Sequence, residues 1–264
     1  MKIKEFSLKK YRKLILPVIA LIVLMQLASW VCGASFFKLE KGLWDGIAFI
    51  GMMFPPDWAV FPDLIEPALQ SIGVAFLATV FGTVLAIVFA LMAASNITHP
   101  VVRNISRFMI GVERSLPEII ILLLLISAYG LGVFSAVVSL TLGCIGMVGK
   151  LLADTIEEID HAMIESMQSV GANKLQVIWF GVLPQIMPNL VSYALFRFEV
   201  NIRLSVILGA VGAGGIGYEL NYAFGLLQFH RALSALIVIL VMVAATEQLS
   251  NVIKKKVKLK GALK

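Results

Sequence analysis

Long uninterrupted apolar runs constrain this chain more than any other feature. Leu14 to Val31 is eighteen residues with Gln26 as its one strongly polar member, and about 20 such residues cross the ~30 Å hydrocarbon core of a bilayer. Similar segments recur at about 68–94, 108–128, 133–152, 188–208 and 231–252, six with the first, which is taken as 14–33. Composition agrees: 59% of residues are hydrophobic and 14% charged, with a mean hydropathy of +0.93. Soluble domains carry roughly 45–50% apolar and about 25% charged residues. The pattern predicts an all-α membrane protein with six transmembrane helices. It excludes a soluble enzyme, a disordered tail and a disulfide-stapled domain.

The first run follows six basic residues in positions 1–13, which is also how a signal peptide begins. It exceeds the ~7–15 residues of a cleavable apolar region, and Trp30-Val31 before Cys32 is no small-residue cleavage site. It reads as a retained anchor helix. Placing both termini in the cytoplasm puts sixteen of the 22 Lys and Arg residues inside, with Arg103, Arg107, Lys150 and Lys174 in the inner loops. Lys38, Lys41 and Arg231 fall outside. That bias sets the orientation. Polybasic ends beside spans fit anionic membrane lipids and not nucleic acid.

Several motifs that resemble chemistry fail on context. Gly212-x-Gly214-x-x-Gly217 matches a dinucleotide fingerprint, yet it follows a span and position 237 is Ile, not the required acid. Gly143 to Gly149-Lys150 is one residue too long for a phosphate loop, and Leu151 stands where Ser or Thr is needed. The chain therefore has no ATP site and needs no cofactor. His99, His161 and His230 are isolated, Cys32 and Cys144 lie far apart, and no GxSxG occurs, so neither a metal nor a catalytic site is expected. Asp154, Glu157, Glu158 and Asp160 read as a solvated helix face or a partner contact. Five glycines in 209–217 cannot hold a stable helix, and irregular backbone survives in a membrane only where protein or a water-filled path satisfies it.

The inner loop carries Glu165-Ser-Met-x-x-x-Gly171-Ala172, then Gly181-Val-Leu183-Pro184. This resembles the coupling motif of bacterial ABC importer permeases, Glu-Ala-Ala, three residues, Gly, nine residues, Ile-x-Leu-Pro. Ser166 and Met167 replace both alanines, and Gly181 the isoleucine. Gly171 permits a sharp break between two short helices, and Pro184 is expected to stop the second before span five. The block Tyr193 to Gly217, with Arg197-x-Glu199-x-Asn201-Ile-Arg203 and the glycines after it, resembles phosphonate-type permeases. Phe54-Pro55-Pro56-Asp57, Gly82-Thr83, Arg114-Ser-Leu-Pro117-Glu118 and Lys150-Leu151 extend that resemblance, with Gln70-Ser71 as a departure where an acid and Thr are expected.

Charges inside spans need a reason, because each costs about 2.5–3.5 kcal/mol or more at mid-bilayer unless paired or hydrated. Glu199 and Arg203 are i,i+4 and are expected to pair. Two readings stay open: the charges lock helices three and five together, or they line a polar path. In the second, Arg114, Glu199, Asn201 and Arg203 lie along the path, and the amides of Gly212, Gly214, Gly215 and Gly217 help hold an oxyanion. Arg197 is expected to snorkel inward or support the coupling loop.

The resemblance implies a bacterial inner-membrane permease subunit with a methionine-importer-like fold, working as a dimer, expected to be of identical chains. Two ATPase subunits would dock on the coupling loop around Glu165, Gly171, Ala172, Leu183 and Pro184. A periplasmic or lipid-anchored binding protein would deliver a phosphonate, phosphite or hypophosphite. The expected organisation is 1–33 basic segment and anchor helix, 34–67 periplasmic loop, 68–252 transmembrane core containing the coupling loop 153–187, and 253–264 basic tail. Competing readings are a permease of this class for another small solute such as an amino acid, and a cation-coupled secondary transporter.

Overall fold

The computed structural model describes residues 8–33 and 36–261; what was expected of the basic residues at 1–7 and 262–264 lies outside the described residues. The chain divides into two units, Met1–Phe54 and Pro55–Lys264. The first holds α1 (Leu8–Cys32) and α2 (Phe36–Met53). Residues 34–67 are therefore not one irregular loop. Apolar residues Leu43, Trp44, Ile47 and Ile50 recur at helical spacing, and the charges at Lys38, Glu40, Lys41 and Asp45 break what would otherwise be a continuous apolar run. The break falls at Pro55-Pro56, where proline disfavours helix in the residue before it.

The second unit opens on a 3-10 turn, Trp58–Val60, capped by Asp57, and continues into α3 (Phe61–Ala93), with Pro62 in its first turn. Then follow α4 (Pro100–Ser115), α5 (Glu118–Tyr129) and α6 (Val133–Glu157). The short α7 (His161–Ser169) and α8 (Lys174–Gln176) lead through wide π turns at Val177–Val182 into α9 (Leu183–Leu208). A second π segment, Gly209–Ala213, precedes α10 (Gly215–Gly225), and α11 (Phe229–Gly261) closes the chain.

Packing centres on α3 against α6. One face of α3 is a buried stripe of small residues at three- and four-residue spacing: Ala68, Ser71, Ala75, Ala78, Gly82, Ala86, Ala90 and Ala93. A lipid solvent offers little hydrophobic drive, so close backbone approach through small residues supplies dispersion contact instead. A Cβ on Gly82 would collide with the Cys144 side chain.

Among the described residues four helices are long and apolar enough to cross a membrane, and α9 with α10, bent by 55°, makes a fifth. Six had been expected. The segment 108–128 is broken at Leu116-Pro117, and its apolar part, α5, has 12 residues, about 18 Å of helix. Pro184 does not stop a helix; helical backbone runs through it from the π turns at Val177–Val182 into α9, and wide turns of this kind commonly mark irregular points within helices.

Candidate functional site

Three polar assemblies stand out in the second unit. The first is the α7–α8 turn. The Asp160 carboxylate accepts the Ala162 N–H at 2.9 Å and starts α7. Gly171, at φ +85°, ends it, with Gly171 N–H donating to Gln168 O and Ala172 N–H to Met167 O, both at 3.0 Å. Asn173 and Gln176 then form a reciprocal capping box on α8. Two caps back to back hold the corner, and left-handed backbone makes glycine the favoured residue at its apex. Around it Val170, Leu175, Trp179 and Phe180 are largely exposed, Val170 at 85%. Glu165 is exposed, Ala172 and Leu183 half-buried.

The second assembly is the α9–α10 bend. Gly212, Gly214 and Gly215 all have positive φ. The Gly215 N–H donates to Gln70 Oε1 at 2.7 Å and the Ile216 N–H to Ser71 Oγ at 3.0 Å. The departure at Gln70-Ser71 thus keeps an acceptor oxygen at each position, and these two amides are committed to α3. Gly217 lies so close to the Val206 carbonyl that a Cβ would not fit. Asn201, fully buried, donates to Thr79 Oγ1 at 2.9 Å, and Thr79 donates to Ala75 O. Glu199 does not pair with Arg203: its Oε1 accepts from Lys254 Nζ of α11 at 2.6 Å. Lys254 also lies 5.8 Å from the Phe196 ring centroid. Arg203 is exposed and makes no ion pair among the described residues.

The third assembly was only half visible in the sequence. Arg197 neither snorkels nor reaches the α7–α8 turn. It is buried, and its Nη2 donates to Glu118 Oε1 at 3.3 Å while Nη1 faces Met147 Sδ. Its Nε has no hydrogen-bond partner among the described residues. A cavity of about 310 Å³ opens beside it at the α4–α5 break, lined by Glu113, Arg114, Glu118, Met147 and Arg197 among others. Room for these side chains comes from glycines on one face of α6: a Cβ at Gly143 would strike Arg197 and Glu118, and one at Gly146 would strike Glu113. The signal that could have found it is Gly143-x-x-Gly146-x-x-Gly149, the run set aside as a failed phosphate loop. Two carboxylates and two guanidinium groups face this cavity, so the charges balance formally. Among the described residues no cluster of His, Cys, Asp and Glu suits a metal.

A bundle knit by small residues, a broken and hydrogen-bonded α9–α10 span, and an exposed capped corner between two short helices define a helical membrane transport component. The chain belongs to the family of binding-protein-dependent transport system inner membrane components, whose model matches residues 86–259. It is a multi-pass inner-membrane permease subunit of the ABC-importer type, not an enzyme. The phosphite transport system permease protein PtxC of Stutzerimonas stutzeri is 34% identical over 258 residues, 97% of this chain and 94% of that protein. The phosphate-import permease protein PhnE of Mycolicibacterium smegmatis is 38% identical over 234 residues, 85% of this chain and 44% of that protein. An inward-facing structure of the MetNI methionine ABC transporter shares the fold, with a TM-score of 0.67 at 22% identity, covering 76% of this chain and 99% of that one.

Proposed function

We propose that this permease carries a phosphorus oxyanion of the phosphonate, phosphite or hypophosphite class, delivered by a periplasmic or lipid-anchored binding protein and driven by two ATPase subunits. Support for the cargo comes from the names of the phosphite and phosphate permeases it resembles across most of its length. The two copies are identical chains, related by a two-fold axis along which the path runs, and both termini are cytoplasmic, in keeping with the basic-residue bias. Residues 1–33 anchor the chain, 68–252 form the core, and of the basic tail from 253 the lysines after Lys254, which is paired with Glu199, bind anionic lipid.

The observation that carries the coupling role is the α7–α8 corner. Its capped geometry is rigid, yet Val170, Leu175, Trp179 and Phe180 are exposed around it, a surface suited to seating in another protein. The ATPases grip Glu165, Gly171 and Ala172 there, and the π turns with Leu183 and Pro184 transmit the displacement straight into α9. The path includes Arg203, exposed on α9, and Arg114, which lines the cavity at the α4–α5 break. Glu199, Asn201 and the glycines 212–217 support it from behind, since Glu199 is paired with Lys254 and Asn201 with Thr79.

The test is reconstitution with the ATPases and the binding protein, loaded in turn with phosphonate, phosphite and hypophosphite. Gly171→Pro and Glu165→Lys should each leave membrane insertion unchanged and separate ATP hydrolysis from uptake. Normal uptake by both variants refutes the coupling role.

A further inference from the structure

We propose that the cleft between α4 and α6 is a binding site for a tetrahedral phosphorus oxyanion, held by Arg107, Arg114 and Lys150. A second cavity, about 140 Å³, lies there, lined by these three cations together with Ala93, Gly111 and other uncharged residues, and by no carboxylate. Arg107 and Arg114 are two turns apart on α4 and so share a face, while Lys150 approaches from α6.

The site is held in shape from outside. Arg107 Nε donates to Ala93 O at 2.9 Å and its Nη2 to Glu157. Lys150 Nζ donates to Asp154, and neither acid lines the cavity. Each carboxylate takes one N–H group, leaving the other donors of an ammonium with three and a guanidinium with five. The Arg107 and Lys150 side chains are each 40% exposed, which keeps the site open to entry. Arg114 makes no ion pair among the described residues, and the carboxylates that balance it, Glu113 and Glu118, line the larger cavity and not this one. Gly111, between the two arginines, keeps the wall low; a Cβ there would meet nothing within 4 Å.

Three cations line a wall that carries no acid, with Glu157 and Asp154 behind two of them; the donors left over suit an anion with several acceptor oxygens, and guanidinium forks match phosphorus oxyanions. Arg114 also lines the larger cavity that contains Arg197, so the two cavities adjoin through one side chain. A free oxyanion in this cleft rests on the importer reading above and would be cargo at a station of the path. A phosphodiester headgroup would occupy the same donors without that reading.

The experiment uses the full chain in nanodiscs, without ATPase, so that a failure of transport does not enter the result. Radiolabelled inorganic phosphate is titrated in phosphatidylcholine discs, and phosphatidylglycerol retention is followed by native mass spectrometry. Arg114→Gln removes one charged contact, and Gly111→Leu fills the cleft with all charges kept. Each should weaken binding roughly tenfold, about what one charge-assisted hydrogen bond is worth. Arg103→Gln, outside the cleft, should change it less than twofold. Saturable phosphate binding with this pattern assigns the free anion; the same pattern in lipid retention alone assigns the headgroup. Absence of both, or an equal loss in Arg103→Gln, overturns the site.

Discussion

Removing Glu118 should be one of the more damaging single changes in the second unit. Arg197 has a side chain only 4% exposed, with Glu118 as its ion-pair partner, Met147 sulfur as a weak second acceptor and an unpartnered Nε. Breaking a buried pair costs about 3–5 kcal/mol, because the surviving charge has lost both water and partner. Glu118 is 29% exposed, so partial hydration of the arginine brings the expected cost of Glu118→Leu to about 2–3 kcal/mol. Arg197→Met should cost a similar amount or less, since Glu118 can turn towards the cavity. The double variant replaces both charges with apolar groups of comparable volume and should return to within about 1 kcal/mol of the parent. Reversible unfolding in mixed micelles measures all four corners of the cycle. Two single variants each within about 0.5 kcal/mol of the parent would refute the claim that this pair is buried and mutually dependent. Uptake by the same proteins separates the roles: a stable double variant that transports normally makes the pair a helix lock, and one that does not makes the charge part of the path.

Lys254→Met should destabilise by about 1–3 kcal/mol, because Glu199, largely buried, loses its cation; a variant that melts like the parent would return Lys254 to the role of a lipid-facing tail residue. Gly82→Val should impair folding, seen as loss of a monodisperse peak in detergent chromatography, because any Cβ meets the Cys144 Cβ across the α3–α6 contact; Gly82→Val with Cys144→Gly, which removes that atom, should recover part of that loss. Arg203→Ala should lower uptake without changing yield or melting, since its exposed side chain makes no ion pair among the described residues; unchanged uptake would remove Arg203 from the path.

Each departure between residue pattern and fold has a local physical cause. Apolar runs mark the membrane-embedded part of a helix, so the segments at 14–33, 68–94, 133–152 and 231–252 coincide with α1, α3, α6 and α11, which extend beyond them into polar sequence at one end or both. A hydropathy pattern treats every charge as a penalty, so α2, whose apolar residues are interspersed with Lys41 and Asp45, reads as a loop. Proline reads as a stop, whereas helical backbone runs through Pro184 from the π turns into α9. Pro117 shows the opposite error: it splits a run that hydropathy alone joins.

What the linear order of residues determined is the solvent this protein lives in, the places where helix is favoured or broken, and the corner at Gly171, since each depends on neighbours within a turn or two. Partners were decided only in three dimensions. Glu199 chose Lys254, 55 residues away, over an arginine one turn along. Arg197 met Glu118 because Gly143 on a third helix left room for both. Electrostatic pairing falls off with distance through space and is indifferent to separation along the chain, so the pattern announces which charges need company while packing alone selects it.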